Sequence, residues 1–194
     1  MRRIIFATGN QDKMREIRMI MQDTDFEIIS MKDAGIKVDV EENGTSFEEN
    51  AIIKAQAIAE YCNDIVLADD SGLEIDYLNK EPGIYSARYL GEDTSYHIKN
   101  AKLLERLEGI PDNQRTARFV CAIAAVIPDK RIITTQATME GRIGYKEAGG
   151  NGFGYDPIFI LPKYNCSTAE LAPDVKNMES HRGKALRMMK EKLK

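Results

Sequence analysis

The sequence predicts a mixed α/β fold. Three observations carry this. Strand-like and helix-like segments alternate through the first half, two long β-rich runs separated by a short turn occupy the second, and a glycine-rich segment leads into a further strand before a closing helix. Alternation alone would give a doubly wound parallel sheet. The consecutive β-rich runs add antiparallel pairing, so the sheet reads as mixed.

Each element has its own justification. Residues 3–7 form a short apolar run that ends on the turn Thr8-Gly9-Asn10, the pattern of a buried strand. Residues 12–23 set Met14, Ile17 and Met21 at helical spacing. Residues 27–31 read as the next strand. Ser46 and Glu49 make a capping-box pattern, and Phe47, Ala51, Ala55 and Ile58 keep the helical period behind it. Residues 65–68 are expected to be an apolar strand that ends in Asp69-Asp70-Ser71-Gly72. Residues 94–107 are an amphipathic helix stopped by Gly109 and Pro111. Residues 118–127 and 131–140 flank Pro128-Asp129-Lys130 as an antiparallel hairpin. The glycine-rich residues 149–157 precede a strand at 158–161. A last helix from about Ser180 buries Leu186, Met189 and Leu193.

At 194 residues the chain suits one domain with room for a second lobe. Hydrophobic residues make up 43% and charged residues 30%, the balance of a soluble globular protein. A net charge of −4 argues against a general nucleic-acid binder, while leaving room for a local basic pocket. The longest apolar run, residues 119–127, is far short of the roughly 18 residues of a membrane span, and the N-terminal apolar stretch is too short for a signal peptide. Cys62, Cys121 and Cys166 are too few and too widely spaced for a disulfide framework or a Cys-x-x-Cys site, so reduced thiols in a cytoplasmic protein are expected. With His97 and His181 alone, a multi-histidine zinc site is not expected.

The chemistry-bearing residues fall into groups. Thr8-Gly9-Asn10-Gln11-Asp12-Lys13 is a strand–turn–helix in which backbone N–H groups and a lysine can meet an anion, although no P-loop pattern is present. Asp69 and Asp70 at a strand end, with Glu41, Glu42 and Glu49, are hard oxygen donors of the kind that hold magnesium together with phosphates. Glu49 doubles as a capping partner, and Glu41 or Glu42 as a solvated acid. Asn50 and Lys54 lie on a helical face away from the apolar stripe, which reads as a solvated pair. Gly152 and Gly154 strip side chains from around Phe153 and Tyr155, leaving either a planar-ligand site or a tight turn with core aromatics. Lys176, His181, Arg182 and Lys184 cluster about the start of the last helix, where positive charge opposes the macrodipole and a ligand is the better reason for it. Cations for a polyphosphate, acids for a metal and an aromatic for a base together describe a nucleotide site.

Six stretches carry a resemblance. They are Thr8-Gly9-Asn10-x-x-Lys13, Ser46-Phe47-x-Glu49-Asn50-Ala51-x-x-Lys54-Ala55, Ala68-Asp69-Asp70-Ser71-Gly72-Leu73, Gly83-Ile84-Tyr85-Ser86-Ala87-Arg88-Tyr89, Gly152-Phe153-Gly154-Tyr155-Asp156-Pro157-Ile158-Phe159 and Ser180-His181-Arg182-Gly183-Lys184-Ala185. In this order, and across nearly the whole chain, they resemble the inosine/xanthosine triphosphate pyrophosphatases, with no departure at these positions. The resemblance implies a single domain over residues 1–194, elongated and two-lobed, with a mixed sheet and a central cleft, usually homodimeric. It implies hydrolysis of a non-standard purine nucleoside triphosphate to the monophosphate and pyrophosphate with Mg²⁺, with no nucleic-acid or membrane partner. By motif, Asp70 becomes the catalytic base. Glu42 and Asp70 become magnesium ligands, with Glu49 and Asp69 as further candidates; Glu42 is preferred to Glu41 on its spacing to Lys54. Thr8, Gly9, Asn10, Gln11, Asp12 and Lys13, with Lys54 and Ser71, would contact the triphosphate and sugar. Phe153, Gly154, Tyr155, Asp156, Lys176, His181 and Arg182 would hold the base. A phosphatase releasing orthophosphate and a non-catalytic nucleotide-binding regulator are the alternatives.

Overall fold

A computed structural model describes residues 2–194. Seven strands form one mixed sheet in the order β2-β1-β3-β4-β5-β6-β7. β1 (Arg2–Phe6) pairs in parallel with β2 (Phe26–Ser30) and with β3 (Ile65–Ile75). Helices α1 (Gln11–Ile20) and α2 (Phe47–Ala59) make the crossovers that parallel pairing requires. β4 (Thr116–Val126) and β5 (Ile132–Ile143) are neighbours joined by a turn too short for a crossover. β6 (Phe159–Leu161) is antiparallel to β5, and β7 (Cys166–Ser167) is antiparallel to β6. The mixed sheet expected from the sequence is thus present.

The contacts divide the chain into two units, Met1–Ser71 with Cys121–Ala137 and His181–Lys194, and Gly72–Val120 with Thr138–Ser180. Each has its own apolar core. In the first, Met14 and Ile17 of α1 pack with Ile4 and Phe6 of β1 and with Leu186 and Met189 of α5 (His181–Lys192). Each such fully buried side chain contributes about 1.5–3 kcal/mol. In the second, Leu73, Ile75, Leu103, Phe119, Phe159 and Tyr155 pack together, with α3 (Tyr96–Arg106) supplying Leu103. No helix among the described residues is long and apolar enough to cross a membrane.

Two expectations are corrected. The apolar run at 65–68 does not end at Asp69; β3 continues through both aspartates to Ile75, because each acid finds partners that let it stay in the strand. A separate helix α4 (Pro173–Glu179) precedes α5, begun by a proline at its first turn. Lys176 therefore lies on α4 in the second unit, while His181 and Arg182 open α5 in the first. Arg115, unremarked in the sequence, is 1% exposed, and its guanidinium donates to the carbonyls of Leu107 (2.6 Å) and Ile143 (2.9 Å). It thereby satisfies a carbonyl at the end of α3, where a cation also complements the negative end of the helix dipole. Cys62, Cys121 and Cys166 are free, as expected.

Candidate active site

Asp69 and Asp70 are consecutive in a strand, so their side chains leave it on opposite sides. Their surroundings differ accordingly. Asp69 is 1% exposed and meets residues of α1, α5 and its own strand: Lys13 Nζ is 3.0 Å from Oδ2, Arg182 Nη2 is 3.3 Å from the same oxygen, and Ser71 Oγ donates to it at 3.0 Å. Burial would raise its pKa, but the charges of Lys13, Arg182 and Lys54 outweigh that and hold the carboxyl far below the usual range. Asp69 is a fixed anion that organises cations around it.

Asp70 faces α2. It accepts a hydrogen bond from Asn50 Nδ2 at 3.1 Å, and Lys54 Nζ lies 3.6 Å from its Oδ1. Lys54 also pairs with Glu42 at 3.0 Å, so one ammonium joins the two carboxylates. Burial pushes the Asp70 carboxyl up to about 6, with Glu42 adding to the rise and Lys54 opposing it. A carboxyl titrating near neutrality beside a second acid and a lysine is equipped to take a proton. The expected solvated pair Asn50 and Lys54 is corrected here. Asn50 is fully buried, and the Lys54 side chain is only 13% exposed, because α2 buries a second face against β3. The carboxamide is oriented by the Gly44 N–H, which donates to Asn50 Oδ1 at 2.8 Å and leaves Nδ2 for Asp70.

The remaining acids and the first turn sort by their partners. Glu49 accepts from the Thr45 backbone N–H at 2.6 Å and hydroxyl at 2.7 Å, so its carboxylate is engaged at the helix start. Asn10 caps α1, its Oδ1 accepting from the N–H groups of Asp12 and Lys13 at 2.9 and 3.0 Å. Those two donors therefore serve the cap, and the cation Lys13 is the feature of this turn that can meet a phosphate. Thr8 Oγ1 accepts from the Asn10 N–H. Gly9 is open on its Cβ side, and Gln11 and Asp12 start the helix exposed or nearly so.

Arg182 is 2% exposed and lies between Asp69 and Glu16, whose Oε2 is 2.5 Å from Nη1. Burial would lower its pKa, and the two carboxylates raise it instead. Its place at a helix N-terminus therefore has a structural reason that the sequence reading lacked. Glu16 was missed. Its one visible signal is its position three residues after Lys13 on the same helix face, too common a spacing to single out.

In the second unit, Asp156 is 3% exposed and collects three donors: Lys176 Nζ at 2.5 Å, the Thr168 hydroxyl at 2.8 Å and the Phe153 N–H at 2.9 Å. Lys176 also stands over the Phe153 ring, 5.1 Å from its centroid. Phe153 is partly exposed. Tyr155 corrects the expectation: at 4% exposure its ring belongs to the core, and its hydroxyl donates to the Ser86 carbonyl at 2.6 Å. The aromatic available to a planar ligand is Phe153. Gly152 has φ +72°, and a Cβ there would fall 2.2 Å from Asp156 Oδ2. Gly152→Ala should therefore strain the turn and spread the Asp156–Lys176 pair, lowering stability by roughly 1–3 kcal/mol in urea denaturation. A loss under 0.5 kcal/mol, the scale of an ordinary surface substitution, would contradict this.

A buried acid of raised pKa beside a lysine, and an aromatic ring beside a lysine–aspartate pair, are features many hydrolases could share; the chain's relatives narrow the choice. The Ham1 family profile matches residues 4–192. The chain belongs to the Ham1 family. It is 46% identical over its full length to a Clostridium perfringens protein named dITP/XTP pyrophosphatase, covering 98% of that protein. It is 47% identical over 97% of its length to a Vibrio vulnificus protein of the same name, covering 95% of it. Among solved structures, the Ham1 protein of Staphylococcus aureus matches with a TM-score of 0.87 at 42% identity, covering 99% of this chain and 98% of that one. A HAM1 protein of Coxiella burnetii matches with a TM-score of 0.89 at 39% identity, covering 100% and 98%. This Ham1-family chain thus shares its fold with full-length relatives.

Proposed function

We propose that the protein hydrolyses non-standard purine nucleoside triphosphates, those of inosine, deoxyinosine and xanthosine, to the monophosphate and pyrophosphate. The observation that carries the reading is Asp70, a buried carboxyl raised to about 6 and held beside Glu42 and Lys54. Relatives of nearly equal length named dITP/XTP pyrophosphatase supply the substrate class.

Glu42 and Asp70 both pair with the Lys54 ammonium, and we assign these two carboxylates to a divalent cation. Two carboxylates completed by substrate phosphates suit Mg²⁺, whereas Asp69 and Glu49 are engaged by protein donors. Mg²⁺ held by Glu42 and Asp70 would neutralise phosphate charge and favour loss of a proton from water. Lys13 and Lys54 attract the triphosphate. Asp70 accepts the proton of the water that attacks the α-phosphorus, and pyrophosphate leaves. Phe153 offers its ring to the purine. Lys176, which stands over that ring, supplies a donor suited to a 6-oxo group. Adenine carries a 6-amino donor there, which leaves such a protein donor unpaired at about 1–3 kcal/mol.

A homodimeric, cytoplasmic enzyme follows from the same reading, and light scattering on the purified protein checks the dimer. The activity is tested by separating the products of inosine triphosphate with Mg²⁺ by ion exchange. Inosine monophosphate and pyrophosphate are expected. Orthophosphate with the diphosphate would indicate a phosphatase, and no turnover a binding protein; either result rejects the proposal.

A further inference from the structure

Asn100 of α3 is 1% exposed. Its Nδ2 donates to Glu147 Oε1 at 2.8 Å and to the Gly154 carbonyl at 3.3 Å. Its Oδ1 is buried and has no hydrogen-bond partner among the described residues. The orientation is not arbitrary: turning the amide over would set its oxygen against two acceptors. Half of this side chain is therefore buried at a loss so that the other half can hold two points of one loop, residues 147 and 154.

That loop carries Phe153. Gly154, with φ +69°, lies against the Tyr96 ring, one turn before Asn100 on α3. His97, on the same helix, places Nδ1 2.6 Å from the second oxygen of Glu147. Three side chains of α3 thus grip the two ends of a segment whose glycines would otherwise leave it free to sample many conformations. Nothing in the apolar core demands an asparagine at this position.

We infer that Asn100 is a positioning residue for base recognition: it holds the Gly154 carbonyl and the Glu147 carboxylate, and so fixes the backbone that presents Phe153. It touches no substrate. The inference rests on the proposed function, in which the Phe153 ring meets the purine.

The test measures kcat and KM for inosine triphosphate with Mg²⁺, inhibition by inorganic pyrophosphate, and amide hydrogen exchange over residues 147–156. Asn100→Ala should raise KM about tenfold, the scale of one lost hydrogen bond, and leave kcat within about twofold. Pyrophosphate inhibition should not change. Exchange over residues 147–156 should accelerate, while α1 exchanges as before. Asn100→Asp fills the same volume but turns a carboxylate toward Glu147 and the Gly154 carbonyl, so it should bind no better than the alanine variant. Glu147→Gln keeps an acceptor for Nδ2 and should stay within about twofold of the parent in KM. The inference is overturned if Asn100→Asp behaves like the parent, which would leave only space-filling. It is overturned equally if kcat or pyrophosphate inhibition falls as KM rises, or if exchange of the loop is unchanged. A parent protein that does not turn over inosine triphosphate rejects the functional reading instead, which separates the two failures.

Discussion

Asp70→Asn should lower turnover by about 10²–10⁴-fold, the range for loss of a general base, while making the metal-free protein more stable above pH 6. Both effects come from one property. Burial raises the Asp70 carboxyl from 3.8 to about 6. Between those values the native state keeps a proton that the unfolded chain has already released, so stability falls as pH rises through the window. Above it, the ionised carboxylate costs about 3 kcal/mol, the two-unit difference converted at 1.36 kcal/mol per unit. Asparagine keeps the shape and the Asn50 hydrogen bond but cannot ionise. Its urea midpoint should therefore exceed the parent's at pH 8 and match it at pH 4, in buffer containing a chelator. A variant that stays active at saturating Mg²⁺ would falsify the base assignment. One that loses stability at pH 8 would show that Lys54 stabilises the anion more than burial penalises it.

Arg182→Ala should destabilise the fold by about 3–5 kcal/mol, the usual result of removing one partner from a buried ion pair. The guanidinium is 2% exposed and bridges Asp69 to Glu16. Its loss leaves Lys13 as the remaining ion-pair partner of Asp69 and removes the guanidinium from Glu16. Urea denaturation at pH 7 measures the loss. A loss below about 1 kcal/mol would mean that water replaces the guanidinium, as at a surface pair. Any change in base preference of this variant must be read at a temperature where it is fully folded.

The sequence by itself determined the mixed sheet, because strand and helix periods are local properties of adjacent residues. Met14, Ile17 and Met21 recur at helical spacing and are buried where that spacing places them. Ser46 caps α2, accepting from the Glu49 N–H. The six ordered motifs likewise sufficed to point to the family. Tertiary structure alone decided which polar residues are partners, because that depends on segments far apart in the chain. Asp69 and Asp70 look interchangeable as a dipeptide. The alternation of the strand gives one to Lys13 and Arg182 and the other to Asn50 and Lys54, with opposite consequences for their protons. Asn50 and Lys54 read as solvated because a helix period marks one apolar face, and nothing local reveals that a second face will meet a buried carboxylate. Tyr155 and Phe153 are two residues apart in one glycine-rich turn, and only the packing of Leu73, Leu103 and Phe159 assigns Tyr155 to the core. A charge or a ring declares its chemistry in the sequence. Its protonation, its exposure and therefore its role are set by neighbours that only the folded chain brings within a few ångströms.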